Sequence, residues 1–131
     1  MTGCVLVADN DEGVVSAIRT RLESAGYQCV TAQSGAQALS QFRAGGIDLV
    51  VSDLNMPAGD GVSLARSIRE HSDVPIILVT GFRDEFRRLL RTVRNVTVLE
   101  KPFDARQLVD LVEVSLSMSE PGAGSEKGGA G

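Results

Sequence analysis

Five short apolar runs recur along the chain, at Cys4–Ala8, Gln28–Ala32, Asp48–Ser52, Ile76–Thr80 and Val96–Glu100. Four of them are dense in Val, Ile or Leu with little alternation, the pattern of strands buried on both faces. Between them, apolar residues return every three or four positions, as on one face of a helix. Val14, Val15, Ile18, Leu22 and Ala25 form the first such stripe, closed by Gly26 where a left-handed cap is expected. Ser34 is placed to cap a second helix carrying Ala38, Leu39 and Phe42, which stops at Gly45 and Gly46. A third holds Val62, Leu64, Ala65 and Ile68 and ends before Val74-Pro75. A fourth, over Asp84–Val93, offers Phe86, Leu89, Leu90 and Val93. The last begins after Pro102, with Asp104 as N-cap, Gln107 completing a variant capping box, and Leu108, Leu111, Val112 and Leu116 as its apolar face. Strict strand–helix alternation predicts an α/β fold, a parallel sheet covered by helices on both faces through right-handed crossovers. Residues 1–118 make one such domain. Residues 119–131, rich in Gly and Ser, have almost nothing to bury and read as a flexible tail or the start of a linker.

Composition narrows the function classes. With 131 residues, 43% hydrophobic and 23% charged, the chain has material for one core and no signature of wholesale disorder. A formal charge of −4 disfavours a broad nucleic-acid surface on this domain. The longest unbroken apolar run, Cys4–Ala8, is far too short to cross a bilayer and leads straight into acidic residues, unlike a signal segment. The expected location is therefore cytoplasmic. Cys4 and Cys29 lack metal-ligand or redox spacing and read as buried free thiols.

Chemistry is expected where the strands end, because an open parallel sheet binds ligands beyond the carboxyl ends of its strands. The first strand runs into Asp9-Asn10-Asp11-Glu12, the third into Asp53, the fourth ends in Thr80, and the fifth leads into Lys101-Pro102. Each has an ordinary explanation: Asp9 and Asp11 as helix caps, Asp53 as a turn residue before Pro57, Gly59 and Gly61, Thr80 as a cap, and Lys101 as a solvated cation. Their joint occurrence at equivalent strand ends argues for one site on a solvent-facing rim. Carboxylate oxygens suit a hard ion such as Mg²⁺, whereas His71 is the only histidine and no zinc set exists. A carboxylate can also act as the nucleophile that takes up a phosphoryl group. No Gly-rich phosphate cradle is present, so the donor must come from elsewhere.

From about Cys4 to Met118 the chain resembles the response-regulator receiver family. The resemblance rests on VLVADND at the first strand, LVVSDLNMPAGDG around Asp53, PIILVTG with Thr80, and VTVLEKPF with Lys101. It implies a flavodoxin-like (βα)5 three-layer sandwich with sheet order 2-1-3-4-5. It also implies that Asp53 is the phosphoacceptor, supplied by a sensor histidine kinase or a histidine phosphotransfer protein in two-component signalling. Mg²⁺ would be held by Asp9, Asn10, Asp53 and the backbone carbonyl of Asn55. Thr80 and Lys101 would hold the phosphoryl oxygens, with Thr80 moving inward on phosphorylation. No enzymatic turnover is implied beyond self-phosphorylation and self-dephosphorylation. The chain departs from the family pattern in three places. Asn10 stands where a second acid is usual, Val98 stands where an aromatic switch is usual, and the segment from Thr80 to Lys101 is about one residue short.

Two other functions compete with a phosphorylation switch. A degenerate receiver would bind partners without phosphorylation, which Asn10 favours while Asp53, Thr80 and Lys101 oppose it. A haloacid-dehalogenase-like phosphatase also uses an Asp after a strand, but wants a second Asp where Asn55 stands and a cap domain for which the chain has no room. A separate feature is the concentration of Arg83, Arg87, Arg88, Arg91 and Arg94 on the fourth predicted helix and its ends. That face is expected to meet an acidic partner, or a second copy through Asp110 and Glu113, unless it is simply solvated.

Overall fold

A computed structural model of the chain describes residues 3–54, 56, 61–81 and 93–119. The elements are β1 (Cys4–Ala8), α1 (Glu12–Ser24), β2 (Gln28–Ala32), α2 (Gly35–Arg43), β3 (Leu49–Asp53), α3 (Gly61–Arg69), β4 (Ile76–Thr80), β5 (Val96–Glu100) and α4 (Ala105–Ser119). The five strands form one parallel sheet in the order β2-β1-β3-β4-β5. The α/β class and flavodoxin-like strand order expected from sequence are what the chain adopts. All but Val93 of the predicted helix over Asp84–Val93, the arginines Arg83, Arg87, Arg88 and Arg91, and the tail beyond Ser119 lie outside the described residues.

Side chains alternate across each strand, so every strand feeds two cores. Leu6, Ala8, Val50, Ile76 and Leu78 face one side and pack with Ala38 of α2 and Val62, Leu64, Ala65 and Ile68 of α3. Val5, Val7, Leu49, Val51, Ile77 and Val79 face the other and pack with Ile18 and Leu22 of α1 and Leu108, Val112 and Leu116 of α4. The result is three layers, with helices on both faces of the sheet.

Local chemistry sets the element boundaries. Asp11 caps α1, its carboxylate accepting from the Gly13 and Val14 amides. At the other end Gly26 adopts φ 99°, and the Tyr27 and Gly26 amides donate to the Leu22 and Glu23 carbonyls in a Schellman arrangement. Ser34 caps α2 through the Gln37 amide. Asp104 and Gln107 form the expected reciprocal box at α4: the Arg106 amide donates to the Asp104 carboxylate and the Asp104 amide to Gln107 Oε1.

Two readings differ from the structure. The third strand lies one residue later than expected: Asp48 stands just before it, its amide donating to the Cys4 carbonyl and its carboxylate accepting from the Cys4 amide, while Asp53 becomes the last strand residue. The fifth run has the apolar density of a strand buried on both faces, yet at the edge position that the expected order gives it Thr97 and Glu100 are exposed. Val96 and Val98 pack against one core and Leu99 against the other, but with a single neighbouring strand they stay only partly buried.

Candidate functional site

The carboxyl ends of β1, β3, β4 and β5 meet at one edge of the sheet. Asp9 follows β1 directly, its amide donating to the Ala32 carbonyl at 3.0 Å, and its side chain is buried at 4% exposure. Asp53 closes β3 and is 7% exposed. Thr80 closes β4 at 1% exposure. The Lys101 amide donates to the Thr80 carbonyl at 2.7 Å, which brings the Lys101 ammonium to 3.4 Å from Asp53 Oδ1. Lys101-Pro102 is a cis peptide. Asp9, Asp53, Thr80 and Lys101 are thus brought to one place, Asn10 is exposed beside Asp9, and Asn55 lies outside the described residues. The expected solvent-facing rim is corrected: Asp9, Asp53 and Thr80 are buried.

Asp9 and Asp11 serve different ends. Asp11 is a helix cap, as its ordinary explanation held. Asp9 accepts the Asp11 amide at 2.9 Å with one oxygen, and its carboxyl is pushed above the ordinary carboxylate range. Burial is the largest cause; the Asp11 hydrogen bond works against it, the Asp53 charge adds to it, and Lys101 offsets part. Among the described residues, two buried carboxylates therefore share one half-buried ammonium, an environment short of positive charge.

That shortage is the test of whether a divalent cation fits. Hard oxygen donors beside an excess of negative charge suit Mg²⁺. Among the described residues no three His, Cys, Asp or Glu side chains come together in a metal-holding group. The carboxylates would supply only part of the coordination, leaving the rest to amide or backbone oxygens and water, as Mg²⁺ accepts.

Two supports of Asp53 escaped the reading of the sequence. The buried Ser52 hydroxyl donates to the Asp53 carbonyl at 2.9 Å. Gly61 packs against the same carbonyl so closely that a Cβ there would lie 2.6 Å from it, while the Gly61 amide donates to Leu54 at 2.8 Å. Gly61 was legible only as a turn residue; nothing in its neighbours announces a close approach of backbone to backbone. Beside Lys101, an apolar groove of about 570 Å³ runs between α1 and the start of α4, lined by Val14, Ala17, Ile18, Pro102 and Phe103.

Comparisons with known proteins agree with this geometry. The family model for the response regulator receiver domain matches residues 5–113. Among curated proteins, the probable transcriptional regulator ycf27 of Cyanidium caldarium is 35% identical over 112 residues, covering 79% of this chain and 42% of that protein. The alkaline phosphatase synthesis transcriptional regulatory protein PhoP of Bacillus subtilis is 30% identical over 125 residues, covering 94% of this chain and 52% of PhoP. The chain thus spans about half the length, or less, of these relatives. The receiver domain of the Francisella response regulator 1452 superposes with a TM-score of 0.83 at 27% identity, over 90% of this chain and 99% of that one. With the matched segment spanning nearly the whole sheet and most of both cores, the chain belongs to the response-regulator receiver-domain family of two-component signalling.

Proposed function

We propose that Asp53 accepts a phosphoryl group in a Mg²⁺-dependent reaction with a histidine kinase or histidine phosphotransfer protein, and that this switches partner binding. The observation that carries the reading is the buried Asp9–Asp53 pair with the Lys101 ammonium 3.4 Å from Asp53 Oδ1. A purely structural role would leave two desolvated carboxylates side by side without adequate compensation.

In the transfer, a carboxylate oxygen of Asp53 attacks the phosphorus of a phosphohistidine. The O–P bond forms as the P–N bond breaks, the electron pair leaves with the imidazole nitrogen, and that nitrogen takes up a proton from water. Lys101 offsets charge on a phosphoryl oxygen, and the Thr80 hydroxyl donates to another. Asp9, Asn10, Asp53 and the Asn55 carbonyl would hold Mg²⁺, which when bound neutralises charge on the incoming phosphoryl oxygens. The apolar groove beside Lys101 gives the donor protein a footing next to the acceptor. Because the chain covers only part of its relatives, transcriptional control through a further segment belongs to this proposal as well.

Intact mass after incubation with acetyl phosphate tests the reading. One phosphoryl mass, gained with Mg²⁺ and lost on standing, is expected; a chelator or Asp53→Asn should prevent it. Sustained hydrolysis of the donor would favour the phosphatase alternative, and no reaction with Mg²⁺ would favour the degenerate receiver.

A further inference from the structure

Among the described residues, one arginine is buried far from the candidate site. Arg69, the last residue of α3, is 9% exposed. Its guanidinium donates only to carbonyls: Nε to Arg94 at 2.9 Å, Nη1 to Ser72 at 2.8 Å and Val74 at 2.9 Å, and Nη2 to Asn95 at 3.2 Å. A planar fork of five donors can do this, whereas a lysine ammonium cannot match the geometry. The carbonyls belong to two loops, one entering β4 and the other entering β5.

Further bonds tie the same loops. Arg94 donates to Asp73 Oδ1 at 2.6 and 2.9 Å, so this member of the arginine run is engaged within the chain. Asn95 Nδ2 donates to the Asp73 carbonyl at 2.8 Å, and the Ile76 amide donates to the Asn95 carbonyl at 3.2 Å. Asn95 takes φ 57°, a left-handed conformation that Asn tolerates better than most residues. Everything lashed here lies at the amino ends of β4 and β5, the edge of the sheet opposite Asp53.

β5 has one neighbour, β4, and is partly exposed. An edge strand of this kind has a ladder on one side only, so bonds at its ends add to what fixes its position along β4. A slip of one residue moves a strand by about 3.3 Å, comparable with the whole separation between Lys101 Nζ and Asp53 Oδ1, 3.4 Å.

We propose that Arg69 is a positioning residue for Lys101: by clamping the entry of β5 to the entry of β4, it fixes where the ammonium at the far end of β5 meets Asp53. The proposal rests on the reading of Asp53 as phosphoacceptor. Arg69 touches neither phosphoryl group nor metal, and it acts through the length of one strand.

The test labels the full chain with acetyl phosphate at saturating Mg²⁺ and measures Mg²⁺ binding in parallel. Arg69→Met keeps the apolar stem and removes the donors. Labelling is expected to slow by ~10- to 100-fold, the scale of an ångström-sized misplacement, while Mg²⁺ affinity is unchanged because Asp9 and Asp53 stand on β1 and β3. Arg69→Lys should fall between parent and Met. In a Lys101→Ala background, Arg69→Met should cause no further loss, since the effect passes through Lys101. Amide exchange over Val96–Glu100 should quicken in both Arg69 variants. Parent-like labelling, an equal loss in both backgrounds, or Mg²⁺ affinity falling in step with rate would each overturn the clamp. If Arg69→Met does not fold, Arg69→Lys carries the same comparisons. Failure of the parent to label would overturn the phosphoacceptor reading instead, and unchanged β5 exchange would then overturn the clamp separately.

Discussion

Burial, before any neighbouring charge, raises the Asp9 carboxyl above the ordinary carboxylate range. Folding therefore favours its protonated form, and the folded state binds more protons than the unfolded one over that range. Stability from this group is fully present at pH below the unfolded value and is lost as pH rises through the raised folded value. Asp9→Asn removes that loss, and the amide oxygen can still accept from the Asp11 amide. In chelator near neutral pH the variant should melt higher than the parent by about 1 kcal/mol. The gap should close as pH falls through the carboxylate range, and Mg²⁺-dependent labelling should be lost. A parent that melts higher at neutral pH in chelator would contradict this. Asn10 presents the complementary case. A carboxylate there would add roughly 1–4 kcal/mol of attraction to a nearby ion depending on dielectric, and its exposure selects the lower end. Asn10→Asp should tighten Mg²⁺ binding by about five- to tenfold, read by titration, and equal affinities would remove Asn10 from the site. The cysteines need no chemistry. Cys4 packs into one core and Cys29 into the other, so the sheet lies between them, and burial pushes the Cys29 thiol up to about 11.

Elements were legible where a local signal was complete. The strand runs stood out because both faces of β1, β3 and β4 are buried, which leaves little alternation. The caps at Asp11, Ser34 and Asp104 stood out because the accepting side chain sits within three residues of the amide it serves. What the pattern missed depends on distant residues. The partial exposure of β5 depends on the sheet around it, the turn of Asp48 toward Cys4 joins residues 44 apart, and the closeness of Gly61 to Asp53 joins a helix start to a strand end. Gly61→Ala tests the last of these. Its Cβ would meet the Asp53 carbonyl at 2.6 Å and Leu54 Cα at 3.0 Å, all backbone that cannot swing aside. A loss of ~1–3 kcal/mol in denaturant unfolding is expected, together with slower labelling of Asp53. Parent-like stability and labelling would show that the loop yields freely. At the end of α1, the Tyr27 hydroxyl is buried with no hydrogen-bond partner among the described residues. Tyr27→Phe should therefore be neutral or raise stability by up to ~1 kcal/mol, and a clear loss in thermal melts would reveal a partner.

Over the whole molecule, parallel topology explains why a candidate site was legible without coordinates. Strands that all run one way end at one edge, so polar residues after each strand must share it. Order along the chain was enough to nominate Asp9, Asp53, Thr80 and Lys101. Their burial was not legible, since it depends on residues distant along the chain, nor was the division of labour between Asp9 and the cap Asp11. The same topology separates two clusters in space. Asp53 and Lys101 meet at the carboxyl edge, while Arg69 bonds the loops at the amino edge, and β5 runs between them. The central claim is that Asp53, and no neighbouring acid, takes the phosphoryl group. The most direct measurement is chemical trapping: label the full chain with acetyl phosphate and Mg²⁺, reduce the acyl phosphate with borohydride, and map the peptides by mass spectrometry. The account predicts homoserine at position 53, dependent on Mg²⁺. Homoserine at Asp9 or Asp11, with position 53 intact, would contradict it.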